Sequence, residues 1–242
     1  MANIYLTGIV LSAANVGEHD RSLYILTKEH GKISAFARGS RRTNSPLLAT
    51  TVPMCFGTFE AYPGRNAYYV TGANISHYFR DLTTDYDSMC YGALFLEMAE
   101  YMSVEEMVEK DRLGLLFMTL RALQEKKQSF ELIRAIYELR SLVISGEYPD
   151  VFSCKACRTK DNIKFFSLKD RGVYCEKCGQ TYSGAPIDPS TLYAMQFIMS
   201  TPVEKLYTFA LSKEIEAELI HFLAEYKKSY FSHRFKAEDF LQ

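Results

Sequence analysis

Residues 4–42 read IYLTGIVLSAANVGEHDRSLYILTKEHGKISAFARGSRR, and their patterning decides the N-terminal fold. Ile4 to Ala13 is rich in β-formers, and its apolar phase (Ile4, Leu6, then Ile9, Leu11) shifts around Gly8. A shift beside a glycine reads as a bulge or sharp bend. Ser22 to Thr27 is a second strand, and KEHGK, with Gly31, a turn. Lys32 to Arg38 alternates, with Ile33, Ala35 and Ala37 on one face and Lys32, Ser34, Phe36 and Arg38 on the other. Beyond the polar run GSRRTNSP, Cys55–Tyr62 and Ala67–Ile75 are two more strands. Pro63-Gly64 between them fits a type II turn, Pro fixing φ and Gly taking positive φ. Five short strands coiled by a bulge suit a small closed barrel such as an OB-fold. An SH3-like barrel and a small open sheet are rivals that propensity does not separate.

At Asp81 the texture changes. Apolar residues recur at helical spacing through Leu94, Phe95, Met98; Leu113, Leu116, Leu120; and Leu132, Ile136, Leu139, Val143. Gly146 and Pro149 stop the last of these helices. Helical spacing resumes at Leu192 and again at Ile215, after a segment holding four cysteines. The predicted fold class is α+β: an OB-fold barrel over residues 1–80 and an α-helical domain over 81–242, into which a four-cysteine zinc module, 150–186, is inserted. The helices on either side of the insertion are expected to form one bundle.

The 242 residues are 48% hydrophobic and 24% charged, ordinary for a folded chain, so disorder, collagen and coiled coil are excluded. No stretch of 18 apolar residues exists, so no membrane-spanning helix is expected. The N-terminus lacks the basic region of a signal peptide, which places the chain in the cytoplasm. A net charge of −1 argues against a nucleic-acid partner until its distribution is read. Residues 1–80 carry +4, 81–150 carry −7, 151–186 carry +4 and 187–242 carry −2. Such polarity points to separate partners for separate faces.

Cys154-x-x-Cys157 and Cys175-x-x-Cys178 are separated by 17 residues, a spacing expected of a four-cysteine zinc site. Each knuckle presents two thiolates to one tetrahedral ion. Four cysteines close the shell, which makes one structural Zn²⁺ the expectation rather than a catalytic one. Disulfides are the alternative, rare in the cytoplasm. Gly179 after the second knuckle relieves the turn; Arg158 stands in that place after the first. Cys55 and Cys90 lie in apolar runs and read as buried side chains.

The second signal is basic. Lys28, Lys32, Arg38, Arg41 and Arg42 stand against one acid, Glu29, and Phe36 shares a strand face with Lys32 and Arg38. Cations for phosphates beside a ring for bases are what a barrel needs to hold single-stranded nucleic acid. An edge strand protected by charge is the plainer reading. No P-loop, G-x-G-x-x-G, H-E-x-x-H or G-x-S-x-G occurs, and the chain is read as not an enzyme. Asp81, Asp85 and Asp87 resemble a nuclease carboxylate cluster but suit the positive end of a helix better.

These residues resemble RecO, the bacterial recombination mediator family. The family run T-G-x-V-L, G-E-x-D, T-x-x-x-G-K and A-R-G-x-R-R stands here as Thr7-Gly8, Val10-Leu11, Gly17-Glu18, Asp20, Thr27, Gly31-Lys32, Ala37-Arg38-Gly39 and Arg41-Arg42. The likeness resumes at Gly146–Pro149 and the cysteine pairs, and ends in HRFKAEDFL. The family often has a glycine after both knuckles and a lysine after the Arg-Arg pair; Arg158 and Thr43 depart from that. The resemblance implies an OB-fold, a helical domain and a zinc module. It implies binding of single- and double-stranded DNA, annealing of complementary strands, and help in loading recombinase onto DNA coated by single-strand-binding protein, with RecR as a second partner. It places the protein in the cytoplasm, with the nucleoid. DNA contact is expected from Lys28, Lys32, Phe36, Arg38, Arg41 and Arg42. Arg140, among Ile136, Tyr137, Val143 and Ile144, is a candidate for docking the acidic, apolar-tipped tail of the single-strand-binding protein, with Arg134 as the fallback. The plainer reading of Arg140 is a stem packed on the bundle. The alternative function is an RNA- or translation-associated protein with an OB barrel and a zinc ribbon.

Overall fold

The structure, a computed structural model, describes residues 3–230 and 233–241. The chain forms two compact units, residues 1–125 with 235–242, and residues 126–234.

In the first unit five strands close into a barrel: β1 (Ile4–Val16), β2 (Asp20–Thr27), β3 (Gly31–Ala37), β4 (Phe56–Pro63) and β5 (Tyr68–His77), in the order β1-β2-β3-β5-β4. This is OB-fold order, and closure excludes the open sheet. β1 is long because it pairs twice, through Ile4–Ile9 with β4 and through Gly8–Val16 with β2. Gly8 belongs to both ladders, and a Cβ there would lie 2.5 Å from the carbonyl oxygen of Leu26. The close approach, not a bulge, requires the glycine; the bulge falls between Val10 and Ser12. The alternation of β3 holds, Ile33, Ala35 and Ala37 filling the barrel with Leu6, Val10, Leu23, Ile25, Phe59 and Val70. Cys55 is buried in the same core, and burial raises its thiol pKa.

Helix α1 (Tyr86–Met102) starts at Asp85, whose carboxylate accepts the Ser88 N–H at 3.1 Å, and α2 (Lys110–Glu125) follows. The aspartates thus cap and complement a helix start, as the dipole reading expects. Residues 235–241 return to α1: Glu97 Oε2 accepts the Ala237 N–H at 3.1 Å and Tyr86 Oη donates to the Phe240 carbonyl at 3.3 Å.

The second unit combines α3 (Phe130–Ile144), α5 (Pro189–Ser200) and α6 (Lys213–Lys227) with the cysteine module. The single bundle expected from all the helices is therefore divided, α1 and α2 going with the barrel. Strand texture ends near residue 80, whereas compactness divides the chain after Glu125. The module is a four-stranded sheet, β6 (Asp150–Cys154), β7 (Ile163–Ser167), β8 (Gly172–Cys175) and β9 (Ala185–Pro186), in the order β6-β8-β7-β9, with a one-turn helix α4 (Glu176–Gly179). Phe166 of β7 packs edge-on against Phe222 of α6 at 5.2 Å, seating the module on the helices. Buried Glu138 of α3 holds Arg134 at 2.7 Å and Lys227 of α6 at 2.8 Å. Among the described residues no helix is long and apolar enough to cross a membrane.

Candidate nucleic-acid interface and metal centre

The register of three adjacent strands builds the candidate interface. Phe36 of β3 is level with Tyr69 of β5, and Tyr69 is level with Tyr62 of β4. Their rings form a row: Phe36 and Tyr69 at 6.1 Å and 28° between planes, Tyr69 and Tyr62 at 5.2 Å and 17°. The Arg38 guanidinium stands over the Tyr69 ring at 4.8 Å, a cation–π distance. Beside the row lies an open groove of about 240 Å³, lined by Phe36, Arg38, Tyr62, Tyr69 and Thr71 and floored by Leu47 and Val70. That is smaller than the roughly 300–1,000 Å³ usual for a drug-sized ligand.

The loop after β3 fixes the remaining cations. Gly39 takes φ +63°, turning the chain out of the strand, and its N–H donates to Asp20 Oδ1 at 2.7 Å. Arg41 bridges to the β1–β2 turn, its N–H on the His19 carbonyl at 2.9 Å and its guanidinium on the Gly17 carbonyl at 3.2 Å. Arg21 ties down the far part of the loop through the Leu48 carbonyl at 2.8 Å and Thr51 Oγ1 at 2.9 Å. The G-E-x-D and A-R-G-x-R-R runs are thus one hydrogen-bonded assembly, and Arg42 is exposed on it.

The six expected DNA contacts do not all converge. Phe36 and Arg38 line the groove, and Arg41 and Arg42 lie in the loop that leaves it. Lys32 starts β3, about 13 Å of strand from Phe36. Its ammonium donates to the Glu100 carbonyl in the last turn of α1 at 2.8 Å. Lys28 lies in the hairpin turn beyond it. Tyr62 and Tyr69, the other two rings of the row, do not emerge from composition, because the pairing of β3 with β5 is needed to see them. The Pro63-Gly64 turn is also not type II: Gly64 does not take positive φ, and its N–H donates to the Ala67 carbonyl at 2.9 Å. Glycine is needed because a Cβ would lie 2.6 Å from Cε2 of Tyr69.

Cys154, Cys157, Cys175 and Cys178 are brought together, all four Sγ atoms within 4.8 Å of one another. Sγ of Cys157 and Sγ of Cys175 are 3.7 Å apart. A tetrahedron with Zn–S bonds of about 2.3 Å has edges of about 3.8 Å, so the donor set fits zinc in kind and size. Burial opposes ionisation of Cys154, but N–H groups of Cys157, Cys175 and Ala156, with the Cys157 thiol, outweigh it and lower its pKa to about 6. Cys178 is pushed up to about 12, by its contact with Cys175 first, then burial and the Cys157 and Cys154 thiols. Thiols this close resist losing their protons together, and a bound cation removes that resistance. Gly179 is helical, and the reason for it is the Phe165 ring, whose Cδ2 would be 2.1 Å from a Cβ. Arg158 has φ +63°, the left-handed turn that glycine suits, and its guanidinium reaches Asp150 Oδ2 at 3.1 Å.

The two candidate docking arginines are engaged within the second unit. The Arg140 guanidinium donates to the carbonyls of Met199 and Ile198 (the latter at 3.2 Å) in the last turn of α5, and Arg134 pairs with Glu138.

Comparison with known families accounts for both parts of the chain. The family described as "Recombination protein O N terminal" matches residues 1–79, and that described as "Recombination protein O C terminal" matches residues 83–239. The chain belongs to the RecO family. RecO relatives named DNA repair protein RecO match over almost their whole length. One from Caldicellulosiruptor saccharolyticus is 30% identical over 100% of this chain and 99% of its own. One from Acetivibrio thermocellus is 29% identical over 98% and 95%, and one from Clostridium perfringens 28% over 100% and 98%. The junction of the two RecO matches falls where strands give way to helices.

Proposed function

We propose that the chain is a non-enzymatic mediator of DNA repair. It binds single- and double-stranded DNA, anneals complementary strands and helps load recombinase onto strands coated by single-strand-binding protein. The observation that carries the binding step is the groove on β3, β5 and β4, where Arg38, Arg41 and Arg42 follow an aromatic row. Phosphates pair with these arginines and give affinity without sequence preference. Lys28 and Lys32 lie at the far end of the β2–β3 hairpin and extend the basic track rather than line the groove. Glu60 stands two residues before Tyr62 on the same strand face, so the sugar-phosphate path runs toward the Arg38–Arg42 loop and away from β4.

One zinc ion per chain, held by the four cysteines, closes the module; its role is to join the two knuckles, not to activate water. RecR and the tail of single-strand-binding protein are partners that the family membership supports. Arg140 and Arg134 draw no added support as the tail's docking site, since both are committed to groups of their own unit. The site of work is the cytoplasm, with the nucleoid. The test is annealing of complementary strands coated with single-strand-binding protein, without ATP. Acceleration over the protein-free rate supports the reading. No acceleration contradicts it, and acceleration with RNA strands alone favours the RNA-associated alternative.

A further inference from the structure

The row Phe36–Tyr69–Tyr62 joins rings from three different strands, and phosphate binding alone gives it nothing to do. Cross-strand aromatic pairs do stabilise sheets. That leaves unexplained why the row borders an open groove and why the Arg38 guanidinium stands 4.8 Å over its middle ring. It also leaves unexplained the glycine at position 64, which lets the β4–β5 loop lie against Tyr69 without covering it. The β4–β5 loop beside the row is one of the loops with which OB barrels take oligonucleotides. We infer that the row is a stacking subsite for an unpaired base, and that Tyr69 and Tyr62 make the barrel prefer single-stranded DNA to duplex. The inference rests on the DNA-binding reading above.

The chemistry follows from the dimensions. The groove is too small for a dinucleotide-sized cofactor and is walled by flat rings. A base continues the row on its π-face, and its phosphate reaches toward Arg38 and the loop beyond. Stacking tolerates any base, because every base has a π-face. In duplex DNA the faces are covered by neighbouring base pairs, so only the phosphates remain for Arg38, Arg41 and Arg42. The subsite therefore adds affinity for single strands alone.

The test compares three short probes of one length: a single strand, its duplex, and a strand with the same phosphates but abasic sugars. Wild type binds the single strand more tightly than the abasic one. Tyr62→Ala weakens single-strand binding about 5- to 150-fold, the span of one lost stacked base, and weakens duplex and abasic binding far less. Tyr69→Ala also removes the ring under Arg38, so it weakens all three, the single strand most. The chain has no tryptophan, so Tyr69→Trp supplies a lone indole that keeps the ring. It restores single-strand affinity, and its fluorescence is quenched by the single strand but not by the abasic strand. Equal affinity of wild type for single and abasic strands overturns the inference, as does an equal loss on single strand and duplex in the alanine variants. Failure of wild type to bind any of the three probes overturns the DNA-binding reading itself.

Discussion

Two cations expected at binding sites donate to carbonyls at the ends of helices. The carbonyls of a helix's last turn have no partner within the helix and carry partial negative charge. Lys32 meets such a carbonyl at Glu100, and Arg140 meets two, at Ile198 and Met199. A charged donor on a carbonyl contributes more than a neutral one, about 1.5–3 kcal/mol. Arg140→Ala is therefore expected to lower the stability of the second unit by about 1–3 kcal/mol in urea unfolding, with DNA affinity unchanged. A tail-docking residue would show the opposite, a loss of tail-peptide binding at wild-type stability. Arg158 offers the converse case. Its left-handed backbone costs about 1–2 kcal/mol, while its ion pair with Asp150, 70% and 38% exposed, contributes about 0–1. Strain is the larger effect, so Arg158→Gly raises the melting temperature of the metal-loaded protein. A fall in that temperature would show the ion pair to be the larger.

At the scale of elements, the sequence displays what is local. Period-two alternation marks β3 because one of its faces is core, and two C-x-x-C pairs mark the cysteine cluster because each knuckle is four residues long. The aromatic row is not local. Phe36 and Tyr69 meet only through the parallel pairing of β3 with β5, and a run of side chains gives no sign of which strands become neighbours across a barrel. Gly64 and Gly179 depart from the sequence reading for one reason: neighbouring residues suggest a backbone role, yet at each an aromatic ring, joined at Gly64 by the Ala67 carbonyl, sits where a side chain would be. In the proposed zinc-bound state the cysteine module depends on the ion more than on its small core. Structural zinc contributes on the order of 10 kcal/mol to such modules. Cys175→Ser, or treatment with a strong chelator, is thus expected to unfold residues 150–186 while the barrel's circular dichroism persists. Anaerobically purified protein containing no zinc would contradict this.

For the whole molecule, a net charge of −1 conceals +4 over residues 1–80 and −7 over residues 81–150. Total charge hides this segregation, whereas the basic loop on the closed barrel displays it. The proposal built on RecO membership and on the groove beside Arg38, Arg41 and Arg42 is that the barrel holds DNA by its phosphates and its bases. The most direct measurement is the salt dependence of single-strand binding, by fluorescence anisotropy, for wild type and for Arg38/Arg41/Arg42→Ala shown to be folded. Each lost phosphate contact removes about 0.7 from the slope of log affinity against log salt. The account predicts a slope shallower by about 2 and weaker binding to all sequences alike. Wild-type affinity and slope in the triple variant would contradict it and place the DNA elsewhere on the protein.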